Sequence, residues 1–196
     1  MMTKNEKYQC LDDLITDISL QQKKGLHFIF AAVVVWTLIF IIHLVPLTQH
    51  AQNILTIACS APIFILAILF SKLIDVNFFE KSNPLYKFGI VFASNQMLYL
   101  PLSIYAFYAC PDRMLMMLTV ITGAHLLPFA WLYRSNTYLY FSLLISIAGI
   151  VVGWTGSPQL LAAVMLPFFI LFALSLSFEI RRDRKAWAVS NEKMTG

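Results

Sequence analysis

Residues 26–46 have the sequence LHFIFAAVVVWTLIFIIHLVP, an apolar run that contains no Asp, Glu, Lys or Arg. A helix needs about 20 mostly apolar residues to cross the hydrocarbon core of a membrane, so this run is long enough to span it. Five further runs follow, at about 54–74, 86–108, 113–133, 137–154 and 159–180. They lack the alternating pattern of barrel strands, which indicates transmembrane helices.

The composition of the whole chain supports the same class. Of its 196 residues, 59% are hydrophobic and only 12% are charged, whereas a soluble domain is about 45–50% apolar and about 25% charged. A soluble fold of this size could not bury so much apolar surface, and disordered chains are poor in such residues. The sequence therefore predicts an all-α, polytopic integral membrane protein with a six-helix transmembrane bundle over residues 26–180.

The two ends of the chain are predicted to lie outside the bilayer. Residues 1–25 are polar, but four aliphatic residues recur there at helical spacing: Leu11, Leu14, Ile15 and Ile18. This pattern predicts a short amphipathic helix on the membrane surface or against the bundle. Lys23 and Lys24 at its end are expected to be attracted to anionic lipid. Residues 181–196 form a basic tail, for which the same attraction is sufficient explanation.

Positive charge predicts the orientation. Under the six-span assignment, 13 of the 14 Lys and Arg residues fall on one side of the membrane and Arg113 alone on the other. Positively charged loops stay in the cytoplasm. We therefore expect a multi-pass protein of the cytoplasmic membrane with both termini in the cytoplasm.

Turn and cap residues agree with these boundaries. Asn83-Pro84 and Ser157-Pro158 each place a capping residue before a proline at the first position of a helix. Ser135 or Asn136 can cap the fifth span in the same way. The short connections around them predict that spans four to six are antiparallel neighbours.

Several polar residues lie deep in the predicted spans. Asn95 is nine residues beyond Tyr86, and His125 is eight residues before Tyr133, so both lie about 12–14 Å from the inner boundary at a rise of 1.5 Å per residue. Because polar groups are disfavoured in hydrocarbon, these side chains are expected to face the bundle interior and each other. Tyr99 lies on the same helix face as Asn95, and Thr122 lies on the same helix face as His125. The predicted substrate-binding cavity comprises Asn95, Gln96, Tyr99, Thr122 and His125. The alternative is that this cluster is only interhelical hydrogen bonding.

The sequence gives less support for a carboxylate, metal, catalytic or nucleic-acid site. No Asp or Glu lies in the middle of a span, which argues against proton exchange through a buried carboxylate and against an aspartyl protease. A single mid-depth histidine is too little for a metal site. We predict no metal, no cofactor and no catalytic residue. The basic segment 181–185 has no aromatic platform for nucleic acid. His43 and His50, beside the first outer loop, are expected to be exposed.

Two stretches carry a resemblance to a known family. They are Gln22-Lys23-Lys24-Gly25-Leu26 and Gly123-Ala124-His125-Leu126-Leu127-Pro128, the second followed by Trp131-Leu132-Tyr133. Together they resemble an uncharacterised family of small bacterial multi-span membrane proteins, a domain of unknown function. The resemblance implies a bacterial cytoplasmic membrane and brings no activity or site residue with it.

Three functional hypotheses follow. The first is a small-solute transporter or permeation protein with a neutral polar site in mid-membrane. The second is a non-catalytic scaffold or sensor that contacts a protein partner through the N-terminal helix. The third is a membrane-embedded enzyme that uses His125 as acid or base, for which no second titratable group at that depth is evident.

Overall fold

The computed structural model describes residues 4–195, and the regular structure of this part of the chain is entirely helical. The helices are α1 Lys4–Gln21, α2 Leu26–Leu44, α3 Gln49–Ser60, α4 Ile63–Leu73, α5 Tyr86–Ala109, α6 Met114–Leu132, α7 Asn136–Thr155 and α8 Pro158–Thr195. Short 3-10 turns, Lys23–Gly25 and Pro111–Arg113, precede α2 and α6. Residues 1–3 and 196 of the predicted terminal segments lie outside the described residues.

The helices confirm the predicted fold class. Five of them are long and apolar enough to cross a membrane: α2, α5, α6, α7 and α8. Helices α3 and α4 are bent by 43° at a short break and pass the same test together, which gives up to six spans. Pro62 lies in this break, where its missing N–H and its ring interrupt the helix. The fold is a helical membrane bundle preceded by α1.

The packing of the helices leaves one side of α5 without a close neighbour. Helix α2 packs against α8, α4 and α3, and α6 packs against α7 and α5. Trp36 of α2 stacks on Phe169 of α8 with ring centroids 5.3 Å apart. Because α5 packs mainly on α6, a gap separates it from α2 and α4.

Helices α6 and α7 approach each other closely because glycines face the contact. A Cβ atom added at Gly123 would lie 2.3 Å from Ser146 Oγ and 2.7 Å from its backbone nitrogen. A Cβ at Gly153 would lie 2.5 Å from Met116 Cγ. Helix α7 therefore makes a close approach to α6 two residues before His125.

The turn between α1 and α2 corrects the prediction for Lys24. Residues Lys23, Lys24 and Gly25 have successive φ angles of 43°, 49° and 70°, in the left-handed region. This turn directs Lys24 into the bundle instead of toward lipid headgroups. Its Nζ lies 2.5 Å from Glu179 Oε1 and 2.6 Å from Asp183 Oδ2. The lysine is buried because two α8 carboxylates compensate its charge.

The predicted caps are largely confirmed. Ser135 Oγ accepts a hydrogen bond from the Tyr138 backbone N–H, and Ser157 Oγ accepts one from the Leu160 N–H. Asn83 is different, because α5 begins only at Tyr86. Its Oδ1 accepts a hydrogen bond from the Leu85 N–H at 2.9 Å in the turn before α5, and its amide nitrogen donates to the Leu14 carbonyl oxygen at 2.8 Å, which ties α1 to the start of α5.

Candidate functional site

A cavity of about 400 Å³ occupies the gap between α5 and the helices α2, α4 and α6. Five α5 residues at spacings of three and four line it, as expected for one face of a helix: Gly89, Ala93, Gln96, Leu100 and Ser103. The lining extends along α5 from Tyr86 to Ile104. That stretch is about 27 Å long at 1.5 Å per residue, close to the about 30 Å of a hydrocarbon core.

Three of the five predicted site residues line this cavity, namely Gln96, Thr122 and His125. Gln96 lies ten residues after Tyr86, about 15 Å along α5. Asn95 and Tyr99 are not among the lining residues, and Tyr99 is 40% exposed on the outer surface. The structure therefore brings together the glutamine, the threonine and the histidine, and places the other two side chains elsewhere.

The polar groups of the cavity keep hydrogen-bonding capacity. His125 Nδ1 lies 3.3 Å from the Thr122 carbonyl oxygen, and Thr122 Oγ1 donates to the Leu118 carbonyl oxygen at 2.8 Å. The hydrogen bonds of the described residues include none between Gln96 and either of these side chains. The amide of Gln96 and Nε2 of His125 are therefore available to a ligand.

Two further polar groups in the cavity wall are buried without a partner within the described part of the chain. They are His27 Nδ1 and Ser103 Oγ, on side chains that are each only 2% exposed. An unpartnered polar atom in a buried site costs free energy that a ligand's hydrogen bond would recover. Neither residue was predicted from the sequence. A histidine in the first turn of an apolar run was the available signal for His27.

The cavity wall is otherwise apolar and carries no formal charge. Aromatic rings line much of it, including Phe28, Trp36, Phe64 and Phe129, and its lining contains no Asp, Glu, Lys or Arg. Over residues 4–195, no group of three or more His, Cys, Asp or Glu side chains could hold a metal ion. The arrangement is chemically suited to hold an uncharged molecule through apolar contact and a few hydrogen bonds.

A second polar cluster lies at the end of the bundle opposite α1, and it corrects the prediction for His43. This side chain is only 2% exposed, and its Nε2 lies 3.4 Å from Thr56 Oγ1. In the same cluster, Asn53 Nδ2 donates to the Pro111 carbonyl oxygen at 2.9 Å. His43 is buried because α3 folds back against α2 and supplies this partner. The cluster joins α2, α3 and the turn before α6.

Comparison with known proteins gives one match. A family model described as Family of unknown function (DUF7010) matches residues 11–179, which include both the cavity and the turn between α1 and α2. No curated protein and no solved structure matches the chain.

Proposed function

We propose that this chain, which belongs to the DUF7010 family of unknown function, binds one uncharged, mainly apolar molecule inside the membrane as the binding step of transport or permeation. The observation that carries the proposal is the cavity that Gln96, Thr122 and His125 line. Their amide, hydroxyl and imidazole groups can donate and accept hydrogen bonds without a net charge.

The charge of the cavity wall favours an uncharged ligand. A charged group taken into a low-dielectric site needs an opposite charge or several hydrogen bonds to offset its desolvation. Lys24 lies in sequence between two residues that line the cavity, Gln22 and Gly25. Its charge is already paired with Glu179 and Asp183. A neutral ligand meets no such penalty.

The size and depth of the cavity favour a small ligand held in mid-membrane. A volume of about 400 Å³ falls within the range of about 300–1,000 Å³ that is typical of small-molecule sites. Gln96 lies about 15 Å along α5, half of the about 30 Å hydrocarbon thickness. A solute that crosses the bilayer along this cavity would meet the polar group halfway.

We further propose that the protein lies in a cytoplasmic membrane with both termini inside. We call the end of the bundle that carries α1 and the turn at residues 22–25 the α1 end. The ion pairs of Lys24 with α8 lie at this end. The distribution of Lys and Arg assigns this end to the cytoplasm.

The experiment is a comparison of bound mass by native mass spectrometry of the purified protein. Ala93→Phe fills the cavity, because Ala93 lines it. The matched control is Leu98→Phe on the same helix, at a side chain that is 75% exposed on the lipid side. We expect the unsubstituted protein and the control to retain one bound molecule per chain, and Ala93→Phe to lose it.

The proposal fails if the adducts are the same in all three proteins, because the retained mass would then be lipid on the outer surface. Gln96→Leu separates the two kinds of contact in the cavity. It keeps a side chain of comparable bulk but removes the amide group. Weaker retention in Gln96→Leu than in the Leu98→Phe control would show that the hydrogen bond contributes to binding.

A further inference from the structure

The cavity is open sideways, toward the lipid. Residues that line it on both edges are also part of the outer surface: Phe64 of α4 is 37% exposed, and Ile90, Met97 and Ile104 of α5 are 46–49% exposed. Since α5 packs mainly on α6, its other side and α4 leave an opening between them. A molecule dissolved in the bilayer can enter there without passing through water.

The shape of the cavity fits a linear chain. Its lining follows α5 for about 27 Å, close to the about 30 Å of a hydrocarbon core, so the cavity is long in the direction in which lipid chains run. A long apolar cavity of this kind matches an extended hydrocarbon chain. The wall supplies the matching surface, because aliphatic and aromatic side chains make up most of it.

The α1 end of the cavity supplies a polar contact at the depth of a lipid's ester groups. His27 is the second residue of α2 and lines the cavity with Tyr86, the first residue of α5. First-turn residues of this kind lie near the membrane interface. His27 Nδ1 is buried and has no partner within the described residues. In the tautomer with its proton on Nδ1, and with the imidazole turned so that this buried atom faces the cavity, the side chain can donate to an ester oxygen.

We infer that a single hydrocarbon chain of a bilayer lipid enters between α4 and α5 and lies along the cavity, with its ester group beside His27 at the α1 end. The inference rests on the proposed function, because it names the chemical class of the uncharged ligand bound at that site. The headgroup of the lipid stays outside, so any charge that it carries is not buried.

The test uses Trp36, which lines the cavity about 15 Å along α2. The other three tryptophans, Trp131, Trp154 and Trp187, are replaced by Phe, and the protein is reconstituted in phosphatidylcholine vesicles. In one preparation the acyl chains carry bromine near their methyl ends, and bromine quenches tryptophan on contact. The reference is a chain with all four tryptophans replaced and Leu98→Trp added, whose indole faces lipid at a similar depth.

We expect brominated lipid to quench Trp36 as strongly as the lipid-facing tryptophan at position 98. Adding Ala93→Phe should abolish the quenching of Trp36, and adding Leu98→Phe should not. Gly89→Leu is a second filling variant, since a Cβ at this position would lie 3.7 Å from Leu132 Cδ2, an ordinary contact. Quenching of Trp36 should also be lost in Gly89→Leu. This second variant keeps the test valid if Ala93→Phe does not fold.

Acrylamide, a small neutral solute in the water phase, distinguishes the failures. If acrylamide quenches Trp36 and brominated lipid does not, the lipid-chain inference is overturned while the proposed binding of an uncharged solute stands. If neither quenches Trp36, the lipid-chain inference is overturned, and the bound-mass comparison with Ala93→Phe decides the proposed function separately. If brominated lipid quenches Trp36 equally in both filling variants and in the control, the quenching does not pass through the cavity and the inference is overturned.

Discussion

Lys24, Glu179 and Asp183 form an ion-pair network. Replacing Lys24 by methionine should lower the stability of the bundle more than replacing either carboxylate. Lys24 and Glu179 have side-chain exposures of only 4% and 8%, and they lie 2.5 Å apart. Methionine keeps an unbranched side chain of similar length in the same left-handed backbone position, so the change isolates the charge. It leaves a buried carboxylate without its cation, a loss that costs about 3–5 kcal/mol in measured cases.

The remaining partners of Glu179 place the expected cost at the lower end of this range. Its Oε2 still accepts hydrogen bonds from Ser135 Oγ at 3.0 Å and from the Thr137 backbone N–H at 3.2 Å. We therefore expect Lys24→Met to lower the free energy of unfolding by about 3 kcal/mol. Glu179→Gln should cost less, about 1–2 kcal/mol, because Lys24 keeps Asp183 at 2.6 Å.

The assay is unfolding in detergent or bicelles, followed by tryptophan fluorescence at fixed pH and salt. The double variant Lys24→Met with Glu179→Leu should recover part of the loss, since an apolar pair has no unpaired charge. The control is Asp12→Asn, which breaks the exposed pair with Arg134, whose side chains are 53% and 54% exposed. Solvent screening limits that cost to about 0–1 kcal/mol. A Lys24→Met protein no less stable than Asp12→Asn, or more stable than Glu179→Gln, would refute the reasoning.

Three further predictions concern packing, a helix end and topology. Gly123→Ala should lower the free energy of unfolding by about 1–3 kcal/mol, because its Cβ would meet Ser146 Oγ at 2.3 Å. Gly89→Ala should raise it by up to about 1 kcal/mol, because the nearest atom to its Cβ would be Leu132 Cδ2 at 3.7 Å. Both are measured by the same unfolding assay. Arg113→Lys should cost about 1 kcal/mol, since Arg113 donates to the carbonyl oxygens of α7 and stacks 5.2 Å from the Trp154 ring; equal midpoints would contradict this. Alkaline phosphatase fused at the C-terminus should be inactive and green fluorescent protein there fluorescent; the reverse would refute the proposed orientation.

The fold class could be predicted from the sequence because hydrocarbon solvation acts on each span separately. A run of about 20 apolar residues needs no partner to be recognised. The bent pair α3 and α4 shows the limit of that approach. The predicted second span began at 54, but α3 begins at Gln49. The polar side chains of Gln52, Asn53 and Thr56 in α3 are buried by contact with the end of α2 and the turn before α6, and hydropathy along the sequence cannot detect such contacts.

The sequence carries more information on the depth of the candidate site residues than on the direction in which they point. The rise per residue fixes how deep Gln96 and His125 lie, whatever their neighbours are. Asn95 and Gln96 are adjacent, and successive residues of a helix point about 100° apart, so depth alone does not tell which of them faces the cavity. The direction depends on how α5 is rotated against α6, and that rotation is set by packing between the two helices.

The turn at residues 22–25 connects the stability of the bundle to the candidate site. Gln22 and Gly25 line the cavity, while Lys24 between them binds α8, and its carbonyl oxygen accepts a hydrogen bond from the Tyr138 hydroxyl at 2.8 Å. Lys23 Nζ donates to the carbonyl oxygen of Ile74, just beyond α4. One short segment therefore fixes the distance between α4 and α8 at the α1 end. Loss of the Lys24 charge should loosen this end of the cavity as well as the fold, so brominated lipid should reach Trp36 more easily in Lys24→Met than in Asp12→Asn.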